Sequence, residues 1–259
     1  MKQQPIGSYE WSMESQGNLN LKEKVTILKM LIKAQLKDKW SYWSYKMGLS
    51  KQQLSMSDLD EVTIPDSQIV QEALSIARET CSPVLLNHCF RTYFFAQLLR
   101  QVDGLPQVDD ELLFVGSILH DLGLTEDHNK NLCHCCFTIE GAKFSESLAL
   151  EHHWSPQRTR QLFTVISAHL NPEIDKEVYG TESYLLGGGA VMDVLGSRYH
   201  TIPNTLLHKV HTHYPREGFK EEIIETMNYP HVSDSRAGFL KKAGFATFAS
   251  KNPLDNLIQ

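Results

Sequence analysis

His120 and Asp121 end an apolar run, Leu112-Leu113-Phe114-Val115-Gly116-Ser117-Ile118-Leu119, at a point where packing alone asks for neither. His88 sits upstream in Leu85-Leu86-Asn87-His88, and Asp193 downstream in Ala190-Val191-Met192-Asp193-Val194-Leu195-Gly196. A polar group buried without a partner is costly, so four of them in core-like stretches imply pairing or a bound ion. A core histidine at 88 and a helix-ending aspartate at 121 are the plainer alternatives. Two imidazoles and two carboxylates form a borderline donor set, suited to Zn2+, Fe2+ or Mn2+ better than to Ca2+ or Cu+. The expected metal ligands are therefore His88, His120, Asp121 and Asp193. An ion there would lower the pKa of bound water toward ~7 and polarise an electrophile beside it.

The elements that must carry these residues are helical almost throughout. Adjacent residues do not share a helix face, so His120 and Asp121 can reach one ion only where a helix ends, and Gly123 is consistent with that end. The spacing predicts a helix from about Pro83 to Val102 around His88, stopping at Asp103-Gly104. Asp109-Asp110 caps the helix that delivers His120 and Asp121. Ser155-Pro156 starts another, with serine as N-cap, that ends near His169. Gly187-Gly188-Gly189 precede Asp193. Three glycines cost a helix ~1 kcal/mol each relative to Ala, so they mark either a close approach of another backbone or substrate, or a loop.

Elsewhere, Leu21, Val25, Leu28, Leu31, Ile32 and Leu36 recur at helical spacing. Trp40 to Met47 form an aromatic connector expected to pack onto the domain, and Pro65-Asp66 starts a helix with Asp66 as N-cap. Residues 1–20 are expected to be disordered, and residues 21–259 to form a single helical domain whose tail packs as a final short helix. Cys133-His134-Cys135-Cys136 lacks a second Cys pair and is expected at a pocket rim rather than around a zinc. His208, His211 and His213 are expected on a solvated surface.

The order His…His-Asp…Asp, carried by Asn87-His88-Cys89-Phe90-Arg91, Ile118-Leu119-His120-Asp121-Leu122-Gly123 and Met192-Asp193-Val194-Leu195-Gly196, resembles the HD-domain superfamily of metal-dependent hydrolases over about residues 80–215. Ser82-Pro83-Val84-Leu85-Leu86-Asn87-His88, Phe137-Thr138-Ile139-Glu140-Gly141 and Val165-Ile166-Ser167-Ala168-His169 look more like its cyanamide hydratase branch. The resemblance implies a compact all-α bundle with an added N-terminal helix and a helical tail. It also implies one metal ion, since Phe137 stands where two-metal members carry a further histidine. His169 would be the histidine that faces substrate. Two departures, Ala190 in place of a threonine and the cysteine cluster in place of a more polar segment, fall near the presumed pocket.

The expected activity is attack of metal-bound hydroxide on a small electrophile, with Asp121 and His169 catalytic and His169 a proton donor or substrate anchor. A nitrile such as cyanamide, hydrated to urea, fits a pocket formed by Leu124, Phe137 and Ala190, with Arg91 one turn after His88. A phosphohydrolase acting on nucleotides or other phosphoesters is the first alternative, disfavoured because Leu124 occupies the place where the resemblance would put a charge. A catalytically silent ligand-binding module is the second.

A net charge of −6 and a pI near 6.0 offer no basic face for nucleic acid or an anionic membrane. No apolar run reaches the ~20 residues needed to span a bilayer. Five cysteines and a polar N-terminus without a signal-peptide core point to a reduced, cytoplasmic setting. The expected partner is a small-molecule substrate. Because the hydratases associate, Trp40 to Met47 would serve a homo-oligomer interface.

Overall fold

The computed structural model describes residues 4–49, 54, 58–128, 135–228 and 234–257. These residues are all-α, with thirteen α-helices and no strand among them. The helices are α1 (Tyr9–Ser15), α2 (Leu21–Lys46), α3 (Gln68–Thr80), α4 (Pro83–Val102), α5 (Asp110–Leu119), α6 (Phe137–Glu151) and α7 (Pro156–Ala168). They continue with α8 (Lys176–Tyr179), α9 (Thr181–Leu195), α10 (Asn204–His213), α11 (Phe219–Asn228), α12 (Arg236–Lys242) and α13 (Phe245–Ala249). No helix among them is long and apolar enough to cross a membrane.

The centre is α4 laid against α9, with α5 and α7 beside them. In α4, Ser82 accepts from the Leu85 N–H and Pro83 occupies the first turn, where its missing N–H costs nothing. Asp109 caps α5 by accepting from the Leu112 N–H, and every residue of α5 from Leu112 to Leu119 is buried. The three glycines lie inside α9, not in a loop. A Cβ on Gly189 would stand 2.3 Å from the Thr92 carbonyl oxygen of α4, so a bare Cα is what allows the two backbones to touch. The helix's own cost for glycine is offset by that packing.

Four expectations are corrected by the fold. Residues 4–20 are ordered: Ile6, Trp11 and Leu19 are buried, the Trp11 indole N–H donates to Glu23 at 2.8 Å, and the Ile6 carbonyl accepts from Asn171 and Tyr179. Scattered apolar residues in a polar stretch gave no periodic signal, yet each finds a pocket. Second, the aromatic connector is the last part of α2, and it does not pack as expected. Trp40 and Trp43 are 67% and 50% exposed, as are Leu21, Val25, Leu28, Ile32 and Leu36 along the same face. Only Glu23 and Ile27 of α2 are buried, while Tyr42 stacks on Tyr199. Third, α3 begins at Gln68, with Ser67 rather than Asp66 at its N-cap. The tail forms α12, α13 and a short turn rather than one helix. Of the cysteine cluster, 133 and 134 lie outside the described residues; Cys135 and Cys136 are buried.

Candidate metal centre and its cavity

α5 stops at Leu119, His120 is its C-cap, and the chain turns at Asp121 into a 3-10 turn at Leu122–Leu124. This is the helix end that two adjacent ligands require. Gly123 makes the turn possible: a Cβ there would lie 2.1 Å from the Phe137 carbonyl oxygen, so α6 can start hard against it. His88 comes from the middle of α4 and His169 from the C-cap of α7. One donor atom each of His88, His120 and Asp121 lies within 4.8 Å of the others, and all three residues are buried.

The imidazoles are oriented by what holds their other nitrogen. His120 Nδ1 donates to the Ser117 carbonyl at 2.8 Å, and His169 Nδ1 to the Ile166 carbonyl at 2.6 Å. His88 Nδ1 lies 2.6 Å from Asp193 Oδ2. A carbonyl or carboxylate can only accept, so each Nδ1 carries a proton, and the Nε2 atoms are turned inward, where a ring without a second proton offers a lone pair. His88 Nε2 and His120 Nε2 are 3.2 Å apart, and Asp121 Oδ2 is 3.4 and 3.3 Å from them. His169 Nε2 is 3.5 Å from Asp121 Oδ1.

Two imidazole nitrogens at that separation need a shared proton or a cation between them. Metal–nitrogen bonds of ~2.0–2.1 Å in a tetrahedral site put neighbouring donors about 3.3–3.4 Å apart, which matches these spacings. The residues fit a metal ion: His88, His120 and Asp121 could hold one, and His169 stands at its edge.

Asp193, expected as a fourth ligand, does not join this group in the structure. Its Oδ1 accepts from Arg91 Nε at 2.8 Å and Arg216 Nη1 at 2.6 Å. Its Oδ2 accepts from Arg91 Nη2 at 2.9 Å and from His88 Nδ1. A carboxylate has about four lone-pair sites, and all four are taken. Asp193 instead orients His88 from behind. Arg91, expected in the substrate pocket, is fully buried behind that carboxylate and also donates to the Tyr214 and Pro215 carbonyls. Phe219 stacks on His88 at 4.6 Å and lies beneath both guanidinium groups. Sequence spacing gave no hint of Arg216, which is 23 residues from its partner.

Charge follows the same division. Burial alone would raise the Asp193 carboxyl, yet Arg91, Arg216 and His88 hold it well below the usual range. Burial also works against an ionised Asp121, but His120, His169 and His88 hold it far down too. For His88 the two carboxylates outweigh burial and raise its pKa. Burial lowers that of His169, against the pull of Asp121.

The cluster opens onto a cavity of about 460 Å3. Leu124, Phe137, His169 and Ala190 line it, as expected, together with His88, His120 and Asp121. Neither a protein-family model nor a curated protein matches the chain.

Proposed function

We propose that the protein is a metal-dependent hydrolase or hydro-lyase of the HD-domain kind, adding water to an electrophilic carbon such as that of a nitrile. Cyanamide, hydrated to urea, is the simplest such substrate. The reading is supported above all by three imidazoles whose Nδ1 atoms are all pinned, leaving their Nε2 atoms turned toward one ionised carboxylate at the end of a cavity. The resemblance to the cyanamide hydratases adds to it.

A divalent ion at the cluster, most readily Zn2+ with Fe2+ or Mn2+ as alternatives, would supply Lewis acidity and a lowered pKa for water. His88, His120 and Asp121 would hold it. Asp121 is ionised without having to lose a proton first. His169 is the group free to move a proton: its Nδ1 is fixed on Ile166, its Nε2 faces Asp121, and burial keeps the ring neutral. It would take a proton from water as oxygen bonds to carbon, and return it to the substrate nitrogen. Leu124, Phe137 and Ala190 would exclude bulk water. A phosphohydrolase is disfavoured, because Arg91 is spent on Asp193 and the lysines that line the cavity, Lys39 and Lys251, are exposed rather than buried beside the cluster.

Elemental analysis of the purified protein, with urea release from cyanamide and phosphate release from nucleoside monophosphates, tests this. About one ion per chain is expected, with urea formed, no phosphate, and activity lost on chelation. Metal-free protein, or turnover unaffected by chelation, rejects the reading; phosphate release favours the alternative. His169→Ala is expected to lower kcat by ~10²–10⁴-fold while the metal stays bound.

A further inference from the structure

The cavity is far larger than cyanamide requires. Its 460 Å3 falls in the ~300–1,000 Å3 range of pockets that enclose drug-sized ligands, whereas cyanamide has only a few heavy atoms. The wall beyond the cluster is mainly apolar and draws on six elements, with Leu31 from α2, Phe137 from α6, Val194 from α9, Ile223 from α11, Leu240 from α12 and Phe245 from α13. Water gains little from such a wall, and an apolar ligand body gains much.

Polar groups return at the solvent side. Lys39 of α2 and Lys251 after α13 line the cavity and are exposed. Neither ammonium group has a hydrogen-bond or ion-pair partner among the described residues. Asp38, the one other charged lining residue besides Asp121 among the described residues, already accepts from the Ser197 hydroxyl and the Arg198 backbone N–H. The mouth therefore carries an excess of positive charge on a chain whose net charge is −6.

We infer that the substrate is an anionic amphiphile, with its reacting group at His88, His120 and Asp121, an apolar body along the wall, and an anionic group at Lys39 and Lys251. This rests on the reading of the cluster as the reacting end. The ligand is recognised by three features in series: a polar head, a body that removes apolar wall from water, and a charge matched at the rim.

Alkanesulfonates test this, because sulfonate is a poor metal ligand and does not compete for the cluster. Calorimetric titration of the zinc-loaded protein is expected to show affinity rising up to about fourfold per methylene, and at least thirtyfold overall from propanesulfonate to decanesulfonate. Decyltrimethylammonium, with the same chain and the opposite charge, is expected to bind at least tenfold more weakly. The exposed double substitution Lys39→Glu with Lys251→Glu should leave the melting temperature in place and reverse that charge preference. Ala190→Trp, which fills the inner wall, should cut decanesulfonate binding at least tenfold. Affinity independent of chain length, or an unchanged charge preference in the double variant, overturns the inference. If the sulfonates behave as expected but neither cyanamide nor other nitriles are turned over, the reaction is misread and the ligand class stands. Cyanamide turnover with chain-length-independent sulfonate binding overturns the ligand class alone.

Discussion

His88 and His211 are both buried, and both meet an aromatic ring, but their nitrogens live differently. His88 has a carboxylate on Nδ1 and a shared centre on Nε2. His211 of α10 is 4% exposed and faces Phe95 of α4 edge-on at 5.8 Å. Among the described residues neither of its nitrogens has a hydrogen-bond partner, and the gap beside it, lined by Asn204, Leu207, His208 and Leu257, is too narrow for a water. Burial pushes the His211 pKa down to about 4. The difference teaches that burial does not make a histidine a ligand. What does so is a fixed acceptor on one nitrogen that aims the other.

The comparison can be broken at Asp193. Asp193→Asn keeps the shape but leaves Arg91 buried without its anion and Arg216 with Asp255 alone, so a loss of about 3–5 kcal/mol of stability is expected in urea unfolding. Because Asp193 orients His88 rather than binding the ion, metal affinity should fall only ~10–100-fold, against near-complete loss in His120→Ala. Competition with a metal chelator measures both. Equal loss in the two variants would make Asp193 a direct ligand.

His211 supplies the contrasting prediction. Its folded pKa of about 4 lies below the ordinary 6.5, so the unfolded chain binds its proton first as pH falls. The stability it contributes is whole above about pH 6.5 and is lost toward pH 4, by up to about 3 kcal/mol. His211→Leu should therefore be as stable as the parent at pH 7.5, or more so, and should unfold less steeply in acid. Identical pH–stability curves would show that His211 is not held neutral by its surroundings.

The smallest effect sharpens the first environment. Phe219→Leu removes the ring stacked on His88 and the face under both arginines, for an expected cost of about 1–2 kcal/mol. A several-fold weaker metal affinity should accompany it, since His88 loses one of the surfaces that set its angle. Unchanged affinity would assign that angle wholly to Asp193.

Much of this was legible from residue order. The caps at Asp109 and Ser155, the helix end at His120 and the meeting of His88, His120 and Asp121 follow from local chemistry and period, whereas the place of His169 came with the family resemblance. The role of Asp193 was not legible, because spacing brings a side chain to a region but does not say which of its lone pairs remain free. That depended on Arg216, a lone cation in an unpatterned loop. The same limit misplaced His211, which shares a short stretch with the exposed His208 and His213. The apolar residues of α2 read as a packing face, yet period alone cannot tell a face turned to the core from one turned outward.

The clasp behind His88 also bears on how the chain is made. The Asp193 main-chain carbonyl accepts from Arg216 and from Asn252, 59 residues further on, and Arg216 in turn holds Asp255. On the ribosome, the trio at 88, 120 and 121 emerges long before these fasteners. An ion held by that trio would therefore be braced from behind only after residue 255 has been synthesised, and a nascent protein halted earlier carries the trio without the brace that aims His88.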